Sequence, residues 1–248
     1  MSRVIFALIL IVSACSSAET ESTYLPDPEG FSQRYLAASK NNGDTRLFQD
    51  TLRNVSAADL SASLTSDAVK KSFWLNIYNA SIQELLKGNE GVFADRDQFF
   101  KSNQIGLAGK EVSLDFIEHQ ILRKQSSDSD LAKDFAVDTI DYRIHFALNC
   151  GAKSCPPIAF YESAFIDDQL DQATRSYLSS EVTYQPLINS VEVPRLMDWF
   201  SSDFGGKKGI LRILKELKLI PELNNPAITF SEYDWTLNLN NFKSDESS

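Results

Sequence analysis

The sequence predicts an α+β protein, with a helix-rich first half and a small antiparallel sheet later in the chain. Three observations carry this. Asp67 to Lys87 places Val69, Phe73, Ile77, Ala80 and Leu85 at helical spacing and ends at Gly88. From Tyr142 to Asn149 apolar residues alternate with Arg143, His145 and Asn149, the two-residue period of a strand with its polar set on one face. The later strand-like segments are short and scattered, without a regular βαβ alternation.

Taken in chain order, the other elements follow from local signals. Gln104 to Val112, with Gly106 and Gly109, reads as a small hairpin. Ser113 is a good N-cap for a helix running through Arg123, with Leu114, Ile117 and Ile121 on its inner face. Gly151 to Pro157 is a loop. Glu162 to Ser179 reads as a helix carrying Ile166, Leu170, Ala173 and Tyr177. Short strands at 181–184 and 190–193 precede a turn of helix at Met197–Phe200. Lys208 to Leu219 is an amphipathic helix stopped by Pro221, and Ala227 to Leu237 is extended.

The first 14 residues read as a signal peptide: Arg3, an apolar run from Val4 to Val12, then small residues. The run falls short of the about 20 apolar residues that span a bilayer. Val12-Ser13-Ala14-Cys15 resembles a bacterial lipobox, so Cys15 is expected to carry lipid and to tether the chain to the cell envelope. Ser16 after it favours the outer membrane over inner-membrane retention. Residues 15–27, rich in Ser, Thr and Glu, read as the tether, and 28–248 as one globular domain. Basic residues number 24 against 34 acidic ones, a net charge of −10. Such a chain repels nucleic acid, so no nucleic-acid partner is expected.

Imidazole or thiol chemistry has few residues to draw on: His119, His145, Cys15, Cys150 and Cys155. Asp115, His119 and Arg123 are helical i,i+4 neighbours, with Glu118 beside them. From Arg143 to Cys155 come one His, two Cys, an Arg and Lys153, and three readings compete. Cys150 and Cys155 form a disulfide in an oxidising compartment. Alternatively one thiol is a nucleophile activated by His119 or His145 and by Arg143 or Lys153. In the third, His and Cys hold a metal, but the Cys-x4-Cys spacing exceeds the tight pair of zinc ribbons and no second pair exists. No metal or other cofactor is therefore expected.

Asn76 and Asn79, with Tyr78 between, sit among large apolar residues on a helix. They read as loop braces or as substrate-positioning donors. Asp234, in Tyr233-Asp234-Trp235, is read as a turn residue or as the partner that orients a His.

Four motifs together resemble the domain of unknown function 547 family over roughly residues 65 to 240. They are Phe73-Trp74-Leu75-Asn76-Ile77-Tyr78-Asn79-Ala80, Ile117-Glu118-His119 with Ile121-Leu122-Arg123, His145 to Cys150 with Ser154-Cys155-Pro156, and Tyr233-Asp234-Trp235 with Leu237-Asn238. The resemblance implies a domain of bacterial secreted proteins and supplies no established activity. It groups Asn76, Tyr78, Asn79, Glu118, His119, Arg143, His145, Cys150 and Cys155 as one set, which favours a site. The leading reading is a papain-like or transglutaminase-like thiol hydrolase or transferase acting on peptide, amide or ester bonds. Cys155 is its nucleophile, His119 or His145 its base, and Asn76 or Asn79 a polarising donor. Both His precede both Cys, so a circularly permuted papain order is required. The alternative is a non-catalytic binding module locked by a Cys150–Cys155 disulfide.

Overall fold

The computed structural model describes residues 25–125 and 128–244. The signal peptide, the lipobox and most of the tether lie outside those residues. The tether's last three residues, 25–27, already belong to the folded body: Leu25 is buried and Asp27 caps the first helix by accepting from Gly30 N at 2.8 Å. The architecture is α+β. Helices α1 (Pro28–Lys40), α2 (Arg46–Asn54) and α3 (Ala57–Ser63) lead to the long α4 (Asp67–Leu86), and α5 is Arg96–Lys101. Strands β1 (Ile105–Leu107) and β2 (Lys110–Val112) form the expected hairpin. Its turn needs left-handed backbone at both central residues, Ala108 (φ 49°) and Gly109 (φ 76°).

Helix α4 is central rather than amphipathic. Every residue from Lys71 to Gln83 is buried, so the apolar stripe seen in the sequence is only part of its buried surface. Ser66 caps it, accepting from Val69 N at 3.3 Å, and α1 packs along it.

The expected strand at 142–149 is instead a 3-10 turn, Tyr142–Phe146. The Asp141 carboxylate accepts from Arg143 N at 3.1 Å, and Ala147 N and Leu148 N both return to Ile144 O. Residues 144–149 are all buried, which the alternating faces of a strand do not allow unless both faces are covered. Its backbone bonds are met within the turn and, at Ala147 O and Asn149 N, by the Asn79 side chain, so the segment has no need of a partner strand.

After α6 (Asp130–Phe135) and this turn come α7 (Ile166–Glu181), β3 (Thr183–Gln185), β4 (Ser190–Val193), α8 (Leu196–Trp199), α9 (Gly206–Glu216) and β5 (Ala227–Phe230). The second sheet has the order β3-β4-β5 and is mixed. β3 and β4 are antiparallel as expected, whereas β5 runs parallel to β4, with Val191 opposite Ile228. The chain between them crosses over through α8 and α9, the kind of connection a parallel pair requires.

Two buried apolar clusters result. One surrounds α4; the other joins β4, α8 and α9 around Phe204 and Ile213. Helix α7 belongs to both, with Ile166 and Leu170 in the first and Tyr177 and Leu178 in the second. Among the described residues, no helix is long and apolar enough to cross a membrane.

Candidate ligand-binding cleft

The segment after the hairpin brings acidic and imidazole groups to one place. Ser113 caps it as expected, accepting from Phe116 N at 3.0 Å. From Phe116 to Leu122 the winding is π rather than α: Arg123 N reaches Glu118 O, five residues back, at 2.9 Å. Ile117, Ile121 and Leu122 are buried, while Asp115, Glu118 and His119 line a cleft of about 190 Å³. Tyr78 and Phe100 from the first cluster and Leu196 and Phe200 from the second help complete its walls, with Trp199 between, so the cleft lies along the seam between the two cores. Tyr233 and Trp235 of the closing segment add to it, with the Trp199 ring stacked 5.7 Å from Trp235 and tilted against Tyr233 at 4.9 Å.

Beneath the cleft runs a chain of charge-assisted bonds. Arg123 grips Asp203 with two nitrogens, at 2.6 and 3.1 Å, and His145 Nε2 lies 2.9 Å from the same carboxylate. Burial alone would raise the Asp203 carboxyl, but its bonds with His145 and Arg123 outweigh that and hold it well below the usual carboxylate range. Asp203 is therefore ionised and accepts a hydrogen bond from His145 Nε2–H. The His145 ring is pinned further by stacking on Phe200, 4.1 Å between centroids. Arg123 also lies 3.1 Å from His119 Nδ1. A guanidinium can only donate, so Nδ1 accepts and the neutral ring carries its proton on Nε2. That nitrogen lies 3.9 Å from Asp115, and Nδ1 lies 3.8 Å from Glu118.

Tyr78 donates to Glu118 at 3.1 Å. Burial and the neighbouring Glu118 charge push its hydroxyl well above the ordinary tyrosine range, so it remains a donor. Burial also raises Asp115, with His119 opposing the shift.

Cys150 and Cys155 are disulfide-bonded, their Cα atoms 6.1 Å apart. Gly151, at φ 87°, turns the chain back on itself, and a Cβ there would meet Leu86 Cδ1 at 2.8 Å. The turn aims two backbone N–H groups, of Cys150 and Ala152, at Cys155 Sγ, at 3.0 and 3.2 Å. The Tyr233 hydroxyl lies 3.1 Å from Cys150 Sγ and 3.2 Å from Cys155 Sγ. The two sulfurs differ in exposure: Cys150 lines the cleft, whereas Cys155 is 3% exposed and sits in the first core. The favoured position of Cys155 as a substrate-facing nucleophile is thus not the one the fold provides.

Of the residues expected at the site, Tyr78, Glu118, His119, His145 and Cys150 share the cleft. Asn76 and Asn79 do not; both are fully buried braces. Asn76 accepts from Tyr161 N at 3.0 Å and donates to Tyr161 O at 2.9 Å. Asn79 accepts from Asn149 N at 2.9 Å and donates to Ala147 O at 3.0 Å. Amides held at both ends on backbone position loops rather than a substrate: Asn79 holds the segment that carries His145 and Cys150, and Asn76 the chain at Tyr161. Arg143 is committed to Asp141, Asp167 and Asp171, and Lys153 pairs with Asp234 at 3.2 Å on the surface. That pairing also removes Asp234 as the orienting partner of a His. Asp203 fills the role instead, 58 residues beyond His145, and no local sequence signal links the two. Among the described residues no His, Cys, Asp and Glu group is arranged to hold a metal ion. A larger cavity, of about 280 Å³, opens between α7 and residues 157–161 but gathers none of these groups.

Residues 62–178 match the family model described as Protein of unknown function, DUF547, which supports the family resemblance carried by the motifs. The match includes Tyr78, the π-helix, His145 and both cysteines, and stops before Asp203 and the aromatic wall. No curated protein and no solved structure matches the chain.

Proposed function

We propose that the chain is a binding domain whose cleft takes the cationic end of a peptide or another small organic amine, and that Cys15 tethers it to the bacterial outer membrane. The observation that carries the binding reading is the pairing of an aromatic wall with two carboxylates in one concavity. Trp199, 48% exposed, and Tyr233 offer flat apolar surface. Among the described residues, Asp115 and Glu118 have within 4 Å in the cleft only the His119 ring as an ion-pair candidate, at 3.9 and 3.8 Å, and that ring accepts from Arg123 in its neutral form. Arg123 is close by, but Asp203 neutralises it. An ammonium group on an apolar stem would satisfy both sides at once, through charge and through aromatic faces. The disulfide, with Tyr233 against it, stiffens one wall and so limits the ordering cost of binding.

Calorimetric titration with trilysine at low salt, beside its fully acetylated counterpart, tests the reading. Binding of trilysine alone, lost when Asp115→Asn and Glu118→Gln are combined, is expected; equal binding of the acetylated peptide, or none of either, would refute it. The tether rests on the Val12-Ser13-Ala14-Cys15 motif, and unchanged fatty-acid labelling of Cys15→Ser would dispose of it.

One observation favours a second reading, the thiol-dependent hydrolase or transferase: Cys150 shares its cleft with His119 and His145. It requires the reduced protein. Cleavage of a chromogenic ester by reduced wild type, absent in the oxidised form and in Cys150→Ala, would establish it.

A further inference from the structure

The asymmetry of the two sulfurs points to reactivity at the disulfide itself. In thiol–disulfide exchange the attacked sulfur must be accessible, and the departing sulfur leaves faster when its thiolate is stabilised. Cys150 is half-buried and lines the cleft, whereas Cys155 is buried and its Sγ lies against two backbone N–H donors and the Tyr233 hydroxyl. We propose that Cys150–Cys155 is an exchange-active disulfide, attacked at Cys150 from the cleft by a dithiol reductant and releasing Cys155 as a hydrogen-bonded thiolate.

The electrons balance as follows. One thiolate of the reductant forms a bond to Cys150 Sγ while the Cys150–Cys155 bond breaks, its electron pair leaving on Cys155 Sγ. The second thiol of the reductant loses its proton and attacks the reductant's own sulfur in the mixed disulfide. Cys150 leaves as a thiolate and takes up that proton. Two electrons have passed from the dithiol, now a disulfide, to the protein.

Two of the three donors serve the leaving group specifically, and the third, the Tyr233 hydroxyl, reaches both sulfurs. The N–H groups of Cys150 and Ala152 are set by the Gly151 turn, so they are already aligned before the bond breaks. They stabilise a thiolate as backbone donors stabilise other anions. Burial raises the Tyr233 hydroxyl above its ordinary range, so it keeps its proton and donates. Among the described residues the Cys150 sulfur has one hydrogen-bonding partner, the shared Tyr233 hydroxyl, and the cleft it lines holds Glu118 and aromatic rings. The inference is independent of which ligand enters the cleft, although an occupant there would shield Cys150.

Two measurements test it. In the first, oxidised wild type is exchanged briefly with glutathione, acid-quenched and peptide-mapped; glutathione is expected on Cys150, and its appearance on Cys155 would overturn the proposal. In the second, ultraviolet thiolate absorbance is followed against pH in Cys150→Ser and Cys155→Ser. Cys155 is expected to ionise at least about one pH unit below Cys150. Tyr233→Phe should raise the Cys155 midpoint and slow reduction of the disulfide by dithiothreitol several-fold. A Cys155 midpoint at or above that of Cys150 would contradict the leaving-group role. The glutathione map needs no variant, so it decides the matter even if a cysteine variant fails to fold.

Discussion

Removal of the Asp203 carboxylate tests whether the charge chain beneath the cleft is as tightly coupled as its geometry implies. Asp203 and Arg123 are each 8% exposed at the side chain, and His145 is 2% exposed. Asp203→Ala strips two bonds from a buried guanidinium and one from a buried imidazole. Leaving one partner of a buried ion pair uncompensated costs about 3–5 kcal/mol. For a chain of this size that lowers the melting temperature by on the order of 10 °C. Asp203→Asn keeps an acceptor but loses the charge, and should fall between the two. The pH dependence follows from the depressed Asp203 pKa. The stability it confers is fully present above the unfolded carboxylate pKa of about 4 and is lost as pH falls toward the folded value. Between those two values wild type should lose up to about 1.4 kcal/mol per pH unit from this group alone, a loss Asp203→Asn cannot show. Urea unfolding of the three proteins at neutral and acid pH measures both effects. Asp203→Ala within 1 kcal/mol or so of wild type at neutral pH, or equal acid slopes for wild type and Asp203→Asn, would refute the coupling.

Asn79→Ala should destabilise by roughly 3 kcal/mol in urea unfolding, because Asn149 N and Ala147 O are left buried without partners. A cost no larger than that of an ordinary surface substitution would show that the brace is dispensable. Replacing both Cys150 and Cys155 with Ala should cost about 2 kcal/mol, the loop entropy of so short a closure; a melting temperature unmoved by this change, or by reduction of wild type, would contradict it. Gly209→Ala places a Cβ 1.7 Å from Phe204 O, so α9 and the Phe204 turn must shift. Thermal unfolding should show a loss of at least about 2 kcal/mol, and near-neutrality would mean the packing there is looser than described.

Local signals made much of this fold legible. Ser113 caps its helix where its position suggests, and Gly109 supplies a left-handed residue of the turn that closes the hairpin. The stretch 142–149 misled because alternation can arise without a strand. Ile144 and His145 are adjacent and both buried because the two clusters enclose the turn from different sides, which a two-residue period does not encode. The parallel β5 was equally hidden, since its pairing with β4 depends on a crossover of more than thirty residues. At the cleft, Tyr78, Glu118, His119, His145 and Cys150 were identifiable as unusual polar groups in apolar settings. Asn76 and Asn79 gave the same signal for another reason, the bracing of backbone. Asp203 and the Trp199–Tyr233–Trp235 wall could be joined to them only by tertiary structure.

The three tryptophans allow the central claim, that the aromatic and acidic cleft is the ligand site, to be tested in one spectrum. Trp199 and Trp235 line the cleft, whereas Trp74 lies wholly inside the first core. In nitrogen-15-labelled oxidised protein each indole N–H gives its own resonance. Titration with trilysine is expected to shift those of Trp199 and Trp235 in a saturable manner and to leave that of Trp74 in place. Saturable binding that moves neither Trp199 nor Trp235, or the absence of any saturable shift, would contradict the assignment of the cleft.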